Sequence, residues 1–459
     1  MIRNKIDLIM LFIILLFAVS TTYIVFAYFK SDFNNYYLPN FAISSLLLIL
    51  FILFYFLSKN FKEKILLIFI SSYVALFCIE VFLNVHAIYF KEKSVYFRFT
   101  EYDKRFKKNP KYVRPIYPHY HASDFLNNPK SFYPLTGISM RPTFNCAESG
   151  HWVSYDSDRF GFNNSDNIWD EEEVDFILIG DSFTHGTCVE KEFNFAGRIQ
   201  EYTKKKVINL GYGGTGPLIQ LAQLKEYGFK IKPQKIIWIY GEGNDLENLR
   251  EELNIPIIKK YLNKNFSQEL ILKQKEIDQF LLELLKKEYT LNLKKREIEK
   301  ELRRDFFFKN LIKLYMVRKN TINNFFNLGN NQNKINEVNE ELKRIDRTNG
   351  TEKNLKMFNT IAEKFKQLSI EENAKLYFVY LPNYIRYHKN YSYAAEGAMY
   401  NREKILKIIT KLNIPIIDLH EEVFKLEKDP LSLFPYRKNR HYNQKGFDKS
   451  SKAIINNVN

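Results

Sequence analysis

Three apolar runs open this chain, and they constrain its fold more than any other feature. The first, Ile6 to Phe29, carries only Asp7 near its start. The second, Phe41 to Leu57, has no charge, and the third, Ile65 to Phe90, holds Glu80 and His86. Each is close to the ~20 residues that cross a ~30 Å hydrocarbon layer. A cleaved signal peptide explains the first run poorly, because it exceeds a normal apolar segment of that kind and two further runs follow. The reading is a three-helix membrane anchor over residues 1–90, a loop-rich connector over 91–170, and a water-facing domain over 171–459.

Lys and Arg in the short loops give the direction of insertion. Arg3 and Lys5 precede the first run; Lys59, Lys62 and Lys64 lie between the second and third; the intervening loop has Lys30 beside Asp32. The amino terminus then faces the cytoplasm. Three crossings place everything after Phe90 in the periplasm or outside, although Lys91, Lys93 and Arg98 pull the other way. Glu80 invites two readings: a functional charge in the bilayer, or a group facing the outer interface or a neighbouring helix.

The formal net charge of +16 raises nucleic acid as a partner. No helix-turn-helix, zinc-finger or base-stacking pattern supports it, and Lys and Arg between residues 259 and 320 are mixed with Glu as on solvated helices. The expected reading is no nucleic acid. Cys78, Cys146 and Cys188 lie too far apart for a zinc or redox motif, so no metal is expected. Cys146 and Cys188 are open to pairing in an oxidising compartment.

Beyond the connector, short apolar runs alternate with helical stretches. Val174–Ile179, Val207–Leu210, Lys235–Tyr240, Leu376–Leu381 and Ile414–Leu419 read as strands, with helices such as Phe195–Lys205 and Leu218–Tyr227 between them. That alternation predicts an α/β domain with a parallel sheet, whose ligands bind beyond the carboxyl ends of the strands. An insertion of roughly residues 250–355 separates the third and fourth strands. It holds two expected helices, Gln268–Lys287 and Lys294–Arg318, and an Asn-rich stretch, Asn327–Asn349, expected to be mobile. It reads equally as a lid or partner surface and as decoration on the sheet.

Four turns carry polar groups suited to chemistry. Gly180-Asp181-Ser182-Phe183 follows the first strand, where a hydroxyl sits at the sheet's mouth and backbone N–H groups of the next helix face it; the plainer reading is a helix cap. Asn209 to Pro217 holds four glycines, which permit close backbone approach but do not match a P-loop. Gly243-Asn244-Asp245 offers an amide donor, or simply an Asx turn. His441, before Tyr442-Asn443-Gln444, offers an imidazole base.

Together these blocks resemble the SGNH (GDSL-like) hydrolase superfamily over roughly residues 174–250 and 375–450. The resemblance implies a flavodoxin-like sheet, Ser182 as nucleophile, Gly214 and Asn244 as oxyanion donors, His441 as base, and no cofactor. Such proteins usually have an Asp three residues before the His, where this chain has Lys438. A Ser–His dyad, a backbone carbonyl, Asp418 at a strand end, or Asp429 in Lys428-Asp429-Pro430 are the alternatives, with Asp429 the assigned candidate. The expected activity is that of an extracytoplasmic serine esterase on acyl, chiefly O-acetyl, esters of envelope glycans or lipids. The alternatives are a polysaccharide O-acyltransferase, which would need a membrane partner supplying its acyl donor, and a noncatalytic membrane-tethered glycan-binding scaffold.

Overall fold

The computed structural model describes residues 5–30, 37–91, 111–126, 132–146, 148–150, 152–311, 314, 317, 352–387, 392–437 and 441–458. The chain divides into two compact units, residues 1–97 with 292–342, and residues 98–291 with 343–459.

The first unit begins with helices α1 (Lys5–Lys30), α2 (Tyr37–Tyr55) and α3 (Lys59–Lys91). In α1 and α3, Lys5–Lys30 and Lys59–Asn84 are long and apolar enough to cross a membrane, while α2 carries a shorter apolar stretch, Asn40–Tyr55. Met10, Phe51 and Leu66 meet between the helices, whereas Leu8, Phe12, Leu67 and Phe82 point outward and exposed. Apolar side chains turned outward in such number suit a lipid environment better than water. Lys62 donates to Asp7 at 2.7 Å, and the Thr21 and Ser44 hydroxyls meet at 2.8 Å. The Glu80 carboxylate is buried, accepting the Asn84 amide at 2.8 Å and the Val317 backbone N–H at 2.7 Å. It therefore faces protein in this unit, with a donor on each carboxylate oxygen.

The second unit holds a hairpin, β1 (Pro142–Cys146) and β2 (Val153–Asp156), and five parallel strands. These are β3 (Glu173–Gly180), β4 (Val207–Asn209), β5 (Lys232–Gly241), β6 (Lys375–Leu381) and β7 (Ile416–Asp418), in the order β4-β3-β5-β6-β7. Counted within the sheet that is 2-1-3-4-5, the flavodoxin-like order. The strands read as unbroken apolar runs because both faces are covered. Ile177, Ile179, Trp238 and Tyr380 enter one core, and Phe176, Leu178, Ile237, Ile239 and Val379 the other. Ser182–His185 (α4) is one short turn of helix after β3. Helices α5 (Phe195–Thr203) and α6 (Pro217–Tyr227) follow on opposite faces. Between β5 and β6 come α7 (Asp245–Glu252), α8 (Gln274–Leu311) and α9 (352–371); α10 (Ser392–Lys411) and α11 (Gln444–Val458) flank β7.

Two expectations change. The two helices expected in the insertion are one continuous helix, α8, because Glu288 to Leu293 contains neither Gly nor Pro to end it. The boundary between the two units falls within α8, so residues 292–342 group with the apolar N-terminal helices. The Asn-rich stretch lies outside the described residues.

The second change concerns the connector. Its part from Val113 onward is folded into the sheet unit. The Asp158 carboxylate is fully buried and accepts the N–H groups of Phe160 and Phe162 at 2.9 Å, the Asn164 amide at 2.8 Å and the Trp169 indole at 2.7 Å. Burial pushes its pKa above the ordinary carboxylate range, and these donors oppose that rise. Asn164 in turn accepts the Asn209 N–H at 2.8 Å and donates to the Asn209 carbonyl at 3.0 Å, along the outermost strand β4.

Candidate active site

Ser182 sits immediately past β3, where the chain must leave the sheet and start a helix within one residue. Gly180 allows that bend. A Cβ there would lie 2.2 Å from the Thr184 hydroxyl and 2.6 Å from the Ile239 carbonyl, so no side chain fits. Asp181 caps α4 by accepting the Phe183 N–H at 2.9 Å. Its other oxygen accepts the Asn244 amide at 3.0 Å. One amide hydrogen of Asn244 is thereby committed, and the second is left to donate elsewhere.

Asp181 and Asp245 are both fully buried, and burial raises both pKa values. The rise is greater for Asp245, where the charge of Asp181 adds to the loss of solvation, while Asp245 accepts the Gly241 N–H at 3.0 Å. The Gly-rich turn after β4 is fixed by the Asn209 side chain, which donates to the Thr184 carbonyl at 2.6 Å and accepts from the Gly211 N–H at 2.9 Å. Gly214 has φ +71°, the left-handed region that glycine enters without a steric penalty.

His441 comes from the far end of the chain. Tyr442, buried beside it, donates to the Pro382 carbonyl at 2.9 Å. Asn443 accepts the Gly446 N–H at 3.0 Å and so caps α11. These anchors bring His441 Nε2 to 2.8 Å from Ser182 Oγ. His441 also packs on the Phe183 ring, with centroids 5.1 Å apart.

The other imidazole nitrogen faces Glu148. His441 Nδ1 lies 3.1 and 3.2 Å from the two carboxylate oxygens, and the His441 backbone N–H points at the same group from 3.4 Å. Both side chains are mostly shielded, with 16% and 13% of their surface exposed. The expectation for Asp429 is corrected. Its carboxylate is paired with Arg437 at the exposed surface, and it follows a different loop from the one facing Nδ1. Asp418 accepts the His420 N–H at 3.0 Å and pairs with Arg402, as a strand-end group does. Lys438 lies outside the described residues.

Glu148 escaped the sequence reading because it precedes Ser182 and lies in the tip of the β1–β2 hairpin, inside the presumed connector. A signal was present. Cys146 forms a disulfide with Cys188, and Cys188 lies six residues after Ser182. Taken as a pair, these cysteines bring Glu148 to the same side of the sheet as Ser182 and His441.

No protein-family model matches the chain, and no curated protein is similar to it at a significant level. Solved structures do match in outline. An acetyl xylan esterase is 11% identical, with 62% of this chain and 98% of that one covered, at a TM-score of 0.33. A GDSL-family lipolytic protein from Desulfitobacterium hafniense is 12% identical, covering 63% and 100%, at 0.30. A two-domain esterase active on acetylated mannans is 11% identical, covering 64% and 50%, at 0.30.

Among the described residues, Cys146, Glu148 and Cys188 offer metal-ligand atoms within 4.8 Å of one another. The two sulfurs are joined in the disulfide, which removes the thiolates a metal would need. The geometry supports a hydroxyl, an imidazole and a carboxylate in line, beside an amide donor.

Proposed function

We propose that this chain is an extracytoplasmic serine esterase, anchored by three membrane-crossing helices and acting on O-acyl, chiefly O-acetyl, esters of envelope glycans or lipids. One observation carries the chemistry: Ser182 Oγ lies 2.8 Å from His441 Nε2, with a carboxylate on the opposite ring nitrogen. A proton on Nδ1 directed at that carboxylate leaves the Nε2 lone pair free to take the hydroxyl proton.

As the proton passes to Nε2, Ser182 Oγ bonds to the ester carbonyl carbon and its oxygen becomes an oxyanion. The backbone N–H groups of Ser182 and Gly214, with the second Asn244 hydrogen, are the donors suited to that charge. His441 then returns the proton to the leaving alcohol. Water, activated by the same imidazole, releases the acyl group from Ser182 and regenerates the hydroxyl. Each step is served by groups of this chain, with no cofactor required.

The outward placement draws support from the Lys and Arg pattern of the short loops and from the Cys146–Cys188 disulfide, a bond that persists in oxidising compartments. The anchor draws support from the outward-facing apolar side chains of α1 and α3.

The test uses the full chain in detergent with p-nitrophenyl acetate and an acetylated glycan, beside Ser182→Ala. Wild-type chain releases acetate and takes a fluorophosphonate label; the variant does neither. Equal release from both proteins overturns the reading. Acetyl transfer to an added glycan, with little free acetate, would redefine the reaction as O-acyl transfer.

A further inference from the structure

The carboxylate facing His441 is carried on an unusual mount. Hairpin β1–β2 has a bulge at Asn145, which lies unpaired between Phe144↔Ser154 and Cys146↔Val153. A bulge of this kind re-aims the side chains around it. The Asn145 amide donates to the Gly186 carbonyl at 3.2 Å, just past α4, and Cys146 reaches Cys188 in the same turn. Cys188 itself has φ +74°, sparsely populated by residues other than glycine, so the turn is held in a conformation that needs support. Farther along the tip, the Tyr436 hydroxyl donates to the Ser149 carbonyl at 2.9 Å. Glu148 lies between these anchors, two residues from the disulfide. The sulfur of Cys188 lies 3.7 Å from His441 Nδ1, the nitrogen that Glu148 faces.

We infer that Glu148 is the positioning carboxylate of His441, and that the Cys146–Cys188 disulfide holds it there, so that acyl transfer at Ser182 depends on the oxidation state of this pair. The inference rests on the proposed Ser182–His441 chemistry. Reduction by a dithiol transfers two electrons and two protons. The Cys146–Cys188 S–S bond breaks, both sulfurs become thiols, and the dithiol closes to its own disulfide. The hairpin tip then loses its covalent tie to the turn after α4, and a free thiol stands beside Nδ1 in competition with Glu148. An imidazole without its ordered carboxylate places its proton on Nε2 for part of the time, where it cannot accept from Ser182.

The experiment compares wild type, Glu148→Gln, Glu148→Asp and Cys146→Ser/Cys188→Ser as full chains in detergent, with p-nitrophenyl acetate as substrate. Glu148→Gln lowers kcat by about 10²–10⁴-fold with KM little changed, as loss of an orienting carboxylate does, and Glu148→Asp recovers part of it. Treating wild type with dithiothreitol raises the titratable thiols from one per chain, Cys78, to three and lowers kcat at least about tenfold, reversibly on reoxidation. The double serine variant shows the same loss without reductant and no further response to it.

Should that variant fail to fold, the reductant titration on wild type stands by itself. Three thiols with full activity, or full kcat in Glu148→Gln, overturns the inference. If Ser182→Ala also remains active, the proposed chemistry fails. If Ser182→Ala is inactive while the reduced wild type is unimpaired, only this inference fails.

Discussion

The two halves of the candidate site are built differently. Ser182 and Asn244 stand at the ends of β3 and β5, central strands sealed between two cores, and the turns around them are crossed by hydrogen bonds that Asn209 and Thr215 donate and Asp181 accepts. Glu148 and His441 stand in loops, held by one disulfide, a capped helix start and a few long-range hydrogen bonds. A sheet edge positions atoms through many weak constraints that fail together only on unfolding. A loop positions them through few, and each can be removed singly while the protein stays folded. Disturbance of the first half should therefore show in stability or in transition-state binding. Disturbance of the second half should show first in activity.

The largest effect expected on the sheet side is that of Asn244→Ala. Losing one oxyanion donor costs about 3 kcal/mol of barrier, roughly a hundredfold or more in kcat, with KM almost unchanged. Steady-state kinetics checks it, and an unchanged kcat would place the amide outside the reaction. Next comes Gly180→Ala. The added methyl meets the Ile239 carbonyl and the Thr184 side chain, so the chain loses about 1–3 kcal/mol of stability in urea unfolding.

His185 joins the two halves, fully buried with its ring against Tyr155 of the hairpin and Tyr212 of the Gly-rich turn. Burial, aided by the charge of His441, lowers its pKa to about 3. The folded state keeps His185 neutral while the unfolded chain protonates near pH 6.5. The associated stability is full above that pH and is lost as pH falls toward 3, by about 1.4 kcal/mol per unit within the window. His185→Phe should flatten this dependence in unfolding measured between pH 4 and 7; an equal slope in both proteins would sink the argument. The smallest effect is that of Asp429→Ala, which removes an exposed pair with Arg437 and should change stability by no more than about 0.5 kcal/mol and kcat hardly at all. A large fall in kcat would return Asp429 to the site.

The sequence was most legible where local rules and burial agree. The five strands announced themselves as apolar runs because both sheet faces are covered, and only their ends moved: β7 is Ile416–Asp418 because Pro415 lacks a donor and Leu419 already turns helical. Ser182, Gly214, Asn244 and His441 were visible as blocks because each follows an element boundary. Glu148 was not, since its place depends on a bulge and a cross-link between segments far apart in sequence. The continuity of α8 was missed for an opposite reason. Thr290 and Asn292 are weak helix formers, but nothing in that stretch stops a helix already under way.

Asn164 covers more than its own hydrogen bonds. By meeting both the N–H and the carbonyl of Asn209, it occupies pairing positions that a strand from another molecule would use. A fragment begun at residue 171 would retain all five parallel strands, Ser182 and His441, yet would expose that rim. Self-association on release from the ribosome is the fate to expect of such a fragment, and a soluble version of the sheet unit should begin upstream of Val113.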